Sequence, residues 1–284
     1  MRKRLTKACR HLVGQIAVSS IVLTGAALAL STSAHAAGDL LVAPTRVVLD
    51  GRRGTEVILN NTGTEVATYR ISLELRRMND IGRLDDVLVE DANDTEKAAL
   101  ASIRYAPRRV TLPPNQPQSI RINLNQMENL PDGEYRAHML FRAIPKAQPV
   151  GEMRDAGNGL KIQLIPIYGI TIPIIVRKGN LEATAALTNV KIASHNEGPA
   201  LQFDLTRKGP RSVFGEIHVT KPGVSDPLMI AKGIAVYPET PTRQVSLPFE
   251  AELAAKMHGD IVISYYEAPE AGGGMISQVR SVLP

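Results

Sequence analysis

Chemistry needs side chains that titrate, attack or ligate, and this chain offers few of them in useful patterns. His138, His195, His218 and His258 are scattered and lack metal-ligand spacing. No serine occupies a nucleophile elbow, and no glycine-rich loop is built to cradle phosphate. Gly272-Gly273-Gly274 reads as a flexible loop between a strand and the tail. The paired acids Asp85-Asp86 and Glu90-Asp91 fall in a polar segment, where carboxylates are solvated rather than catalytic. The basic pairs Arg76-Arg77 and Arg108-Arg109 have no interleaved aromatics, so they do not form a nucleic-acid platform. Asn93-Asp94-Thr95 matches a glycosylation acceptor, which is a short and weak pattern. The residues therefore point away from an enzyme and imply no metal and no cofactor.

Composition narrows the class further. The basic Arg2, Lys3, Arg4, Lys7 and Arg10, an apolar stretch over 12–30 and Ala34-His35-Ala36 have the order of an export signal, cleaved before Ala37. Those five cations account for the whole excess of 33 Lys and Arg over 28 Asp and Glu. A mature chain from Ala37 is neutral overall and gives no reason to expect a nucleic-acid partner. The single cysteine, Cys9, leaves with the signal, so an exported chain must be held by its core alone. No second apolar run is long enough to span a bilayer, and no membrane insertion of the mature chain is expected.

The elements that remain are mostly strands. β-rich runs at 40–49, 55–61, 66–78, 103–112, 118–124 and 133–144 are separated by turn signals such as Asp50-Gly51 and Pro113-Pro114-Asn115. Residues 79–101 are polar and acidic, with a short helix expected at 94–100 behind Asp94 as N-cap. Strand 133–144 alternates cleanly: Tyr135, Ala137, Met139, Phe141 and Ala143 face one way, and Glu134, Arg136, His138, Leu140 and Arg142 the other. After a polar loop comes the most unusual stretch, GLKIQLIPIYGITIPIIVRKG at 159–179, whose only charges are Lys161, Arg177 and Lys178. Ile162, Leu164, Tyr168, Ile170, Ile172 and Ile174 share one face of it. Pro166 and Pro173 lack the N–H that a central strand needs, which places the run at a sheet edge. A long apolar edge is normally an aggregation hazard, so a protein that keeps one is expected to pair it with another chain. Beyond Lys178-Gly179-Asn180 the strands shorten, at 182–193, 200–207, 212–220, 227–237, 243–247 and 259–267, with a helix candidate at 250–257. Their even spacing suggests a second β-sandwich.

Four segments stand out: APTRVVLDG (43–51) with EVILNN (56–61), YAPRRVTLPP (105–114) with QSIRI (118–122), the strand from Gly133-Glu134-Tyr135 to Ile144-Pro145, and the run ending at Arg177. Together they resemble the PapD-like periplasmic chaperones of the chaperone–usher pilus pathway. The resemblance covers about 140 residues in the first half, and its missing internal lysine suggests a divergent branch. It implies an all-β fold of two immunoglobulin-like sandwiches in a boomerang, at 37–178 and 180–284. It implies a periplasmic, ATP-independent chaperone that lends the edge strand at 159–177 to a pilus subunit and delivers it to an outer-membrane usher. The family anchors the subunit's terminal carboxylate with an arginine from the first strand, matched by Arg46, and a lysine from the lent strand. That lysine's place falls at Thr171 or Pro173, and Arg136, His138 or Arg142 stand as substitutes. Glu134 and Arg177 match a family ion pair that fixes the interdomain angle. A self-capping dimer of the free protein stays open. On this reading Ile172→Asp abolishes capture and spares the fold. The competing reading is an exported structural sandwich, a pilus subunit or adhesin. A sugar-binding module is disfavoured by the absence of Trp and the presence of only 4 Phe and 7 Tyr.

Overall fold

The computed structural model describes residues 40–50, 53–145, 166–195 and 198–284, with 194 and 195 as backbone only. Within them the chain is all-β, built from four sheets around two hydrophobic cores. Strands β1 (Leu40–Ala43), β3 (Thr55–Asn61), β8 (Pro117–Leu124) and β6 (Ile103–Ala106) form one sheet in the order β1-β3-β8-β6. Facing it is a sheet ordered β2-β10-β9-β4-β5. Its strands are β2 (Val47–Leu49), β10 (Gly169–Lys178), β9 (Gly133–Ile144), β4 (Ala67–Met78) and β5 (Leu84–Val87), with β7 (Arg109–Leu112) also paired to β4. Alternate residues of both sheets point inward, and Val57, Leu59, Ile120, Ile122, Ala137, Met139 and Phe141 are almost wholly enclosed.

The first expected strand, 40–49, is two strands on two sheets. β1 pairs antiparallel with β3, while β2 runs parallel to β10. Pro44, between them and unable to donate to a ladder, marks the crossing. The expected strand at 103–112 divides in the same way around Pro107 into β6 and β7.

The acidic segment 79–101 is more structured than its polarity suggests. It holds β5, a 3-10 turn at Val89–Asp91 and helix α1 (Asp94–Ser102). The N-cap of α1 is Asn93, not Asp94: Asn93 Oδ1 accepts from the Glu96 N–H, and the Glu96 carboxylate accepts from the Asn93 N–H. Arg77 then grips Glu96 with Nε and Nη2, each at 2.6 Å, and this holds the Glu96 carboxyl below its usual range.

The second core lies between the sheet β11 (Thr184–His195), β12 (Gly198–Lys208), β15 (Thr242–Pro248) and a four-stranded sheet. The latter is ordered β14 (Met229–Val236), β13 (Val213–Thr220), β16 (Gly259–Glu267), β17 (Met275–Leu283). The tail beyond Gly272–Gly274 is thus an edge strand. Helix α2 (Ala251–Met257) buries Met257 in this core. Gly215 lies where β13 meets β16; a Cβ there would sit 1.7 Å from the Tyr266 carbonyl, so only glycine fits. No helix among the described residues is long and apolar enough to cross a membrane.

Candidate functional site: a basic cleft and an open strand edge

The cross-strand register lays out the outer face of the β2-β10-β9-β4 sheet row by row, because laterally paired residues share a face. Toward the second core the rows carry Val48, Ile175 and Arg136, then Pro173, His138 and Glu74. Ile175 is fully buried and forms a small apolar cluster with Met78, Ala235 and Tyr237. The two cores are thereby joined by apolar contact as well as by polar bonds.

Three arginines dominate this cleft, and two of them are neutralised. Arg177 Nε donates to Glu134 Oε2 at 3.0 Å, and the same carboxylate oxygen accepts from the Ser212 N–H at 3.0 Å and the Ser212 hydroxyl at 2.9 Å. Arg136 binds the Glu239 carboxylate with both terminal nitrogens and stacks 3.6 Å above the Tyr237 ring. Arg46, just before β2, is different. It donates to the Tyr237 hydroxyl at 3.1 Å and to Ser212 Oγ at 3.4 Å, and lies 4.2 Å above the Phe214 ring. All these partners are neutral. Among the described residues no carboxylate pairs with Arg46, and Glu134 and Glu239 are already held by Arg177 and Arg136. Arg46 is thus a half-buried guanidinium, oriented by aromatic stacking and left without a counter-charge among the described residues.

His138 lies beside Pro173 on this face and is 1% exposed, with neither ring nitrogen hydrogen-bonded. Burial, and then the charges of Arg136, Arg76 and Arg46, push its pKa down to about 3. It is a neutral imidazole at ordinary pH. Arg142, by contrast, is exposed at the far end of the same strand.

The described part of the long apolar run is more committed to its own sandwich than its sequence suggests. Ile162 and Leu164 lie outside the described residues. Ile167 and Tyr168 are about half exposed ahead of β10. Ile170 is partly buried, while Ile172 (2% exposed) and Ile174 (0%) are in the first core, together with Val176. The expectation that Ile172→Asp spares the fold is therefore corrected: that side chain packs against its own sandwich.

What remains open is the backbone edge. The Tyr168 carbonyl accepts from the Ala143 N–H at 2.9 Å. Along an antiparallel ladder the bonding residues alternate, so Ile170, Ile172, Ile174 and Val176 turn their polar groups to β9. Gly169, Thr171, Pro173 and Ile175 turn theirs the other way. β2 covers that side only from Ile174 to Val176. Upstream, Gly169 and Thr171 face no strand among the described residues. Pro173 sits on the open side, where its missing N–H removes no bond from the β9 ladder.

Solved structures similar to the chain along most of its length are pilus chaperones. One is the CsuC–CsuE chaperone–tip subunit pre-assembly complex of the archaic Csu pili of Acinetobacter baumannii, at 12% identity and a TM-score of 0.46, covering 87% of this chain and 98% of that one. The Salmonella enterica SafA pilin–SafB chaperone complex matches at 16% identity and 0.44, covering 87% and 97%. The Pseudomonas aeruginosa CupB2 chaperone matches at 16% and 0.44, covering 86% and 100%. Neither a family model nor a curated protein matches the sequence.

The sequence reading missed Phe214, Ser212, Tyr237 and Glu239. All four lie far along the chain from Arg46, and no local pattern distinguishes them from ordinary strand and turn residues.

Proposed function

We propose that this protein is a periplasmic chaperone of the chaperone–usher type, which captures pilus subunits by strand lending and passes them to an outer-membrane usher. The observation that carries the reading is the open edge of β10 at Gly169–Pro173, in line with the unneutralised Arg46 of the cleft. An incoming strand gains backbone hydrogen bonds from Gly169 and Thr171. Its apolar side chains meet Ile167, Tyr168 and Ile170, while Ile172 and Ile174 keep the lending strand rigid. A subunit's terminal carboxylate docks on Arg46, whose unused N–H groups point to an acceptor that no described residue supplies. Thr171 or Pro173 stands where the family's lysine would be, and neither carries a charge, so Arg46 is the primary anchor. Signal removal at Ala37 and two sandwich domains, 37–178 and 180–284, belong to the same reading, and the Glu134–Arg177 pair with Ser212 sets the angle between them.

The test is co-expression of the full chain with candidate pilus subunits, followed by purification from the periplasm. A soluble one-to-one complex is expected, with the subunit degraded when the chaperone is omitted. Recovery of this chain as a self-polymer on the cell surface would show instead a structural protein.

A further inference from the structure

One charged feature lies outside the cleft. Arg109 on β7, Arg70 on β4 and Arg142 on β9 are direct lateral partners, Arg109 opposite Arg70 and Arg70 opposite Arg142. All three are exposed on the outer face, and none forms an ion pair with a described residue. The next row on the same face fixes the side of the sheet: Thr68 and Thr111, two residue-pairs along, bond through their hydroxyls at 3.0 Å. Facing residues in a ladder have Cβ atoms only about 4.5–5.5 Å apart, and like charges there repel. Such a row is unfavourable in the free protein unless something anionic lies over it.

The row has a direction. Its next member after Arg142 is Gly169, at the open edge of β10. A strand added there continues the row, and Gly169 adds no side chain of its own between Arg142 and the newcomer, with Leu140 Cδ1 lying 3.0 Å from where a Cβ would be. Two strand spacings, about 9–10 Å, separate the β9 backbone from the added one. An extended arginine and a carboxylate side chain together span that gap.

We infer that the Arg109–Arg70–Arg142 row selects an acidic partner segment, so that the strand paired to β10 carries Asp or Glu on its outer face, level with Gly169. This rests on the strand-lending reading and specifies the partner's charge pattern. Nucleic acid fits the surface less well: Ser72, Leu140, Thr68 and Thr111 flank the arginines and no aromatic stacks among them.

The test uses the full mature chain and two synthetic peptides with the same alternating apolar residues, one with Glu and one with Lys at the intervening positions. Affinities are read by fluorescence anisotropy at low salt. The Glu peptide is expected to bind about tenfold tighter, a preference that shrinks as salt screens it. In the Arg70→Ser/Arg142→Ser variant, whose fold is checked by circular dichroism, the two affinities should converge. Equal affinities in the wild type, or an unchanged preference in the variant, overturn the inference and leave strand pairing standing. Binding of neither peptide overturns strand pairing and the inference with it. A short DNA duplex that binds as tightly as the Glu peptide overturns the assignment to an acidic protein segment.

Discussion

At the residue scale the cleft is an arrangement of charges in which each carboxylate is already taken. Glu134 serves Arg177 and Ser212, and Glu239 serves Arg136. His138 adds a buried base that must stay neutral. Its pKa is pushed down from the ordinary 6.5 to about 3 in the folded state, so between those values the unfolded chain binds a proton that the folded chain does not. The contribution of neutral His138 is thus fully present above about pH 6.5 and is lost as pH falls toward 3. Within that window stability should drop by about 1.4 kcal/mol per pH unit from this group alone. His138→Gln should flatten that slope in urea titrations between pH 6.5 and 4. An identical slope in the variant would assign the acid sensitivity to other groups.

At the element scale β10 has two different surroundings along its length. Its C-terminal part, Ile174–Val176, is sealed between β9 and β2, and its N-terminal half has one flank that no strand among the described residues covers. Two substitutions separate them. Ile172→Asp places a charge in a core position that is 2% exposed, which should cost more than about 4 kcal/mol and reduce soluble protein. Tyr168→Asp, at an exposed position ahead of the strand, should leave the melting temperature within a degree or two and weaken subunit capture at least tenfold. Full capture by a folded Tyr168→Asp protein would remove this segment from the interface. The alternation at 159–179 was enough to identify a strand with an apolar face. It did not show which way that face points, because a strand buried in its own sandwich and one offered to a partner have the same period.

At the scale of the whole molecule two cores are held together by a few bonds around Glu239. Its Oε1 accepts from the Met78 N–H at 2.9 Å as well as from Arg136, and the neighbouring Thr240 hydroxyl donates to the Met78 carbonyl at 2.5 Å. The Arg136 side chain is 8% exposed, so removing its partner leaves a buried charge unmatched. Glu239→Ala should cost about 3 kcal/mol and split one calorimetric transition into two. A thermogram that superimposes on the wild type would show that the apolar cluster around Ile175 suffices as the link.

The sequence by itself determined what local chemistry can determine. Period-two alternation, turn residues and a chain without enzyme motifs are all written in neighbouring positions, and they lead to an all-β chain with an unusual apolar strand; Arg46, Glu134 and Arg177 became candidates only through the resemblance to a known family. Only the tertiary structure decided the rest. It divided the first strand at Pro44, buried His138 and turned Ile172 inward. It brought Arg46 against Phe214, Ser212 and Tyr237, and aligned Arg109, Arg70, Arg142 and Gly169 in one row. These depend on which strands lie side by side and in what register, a choice set by burial of the whole chain rather than by any local spacing.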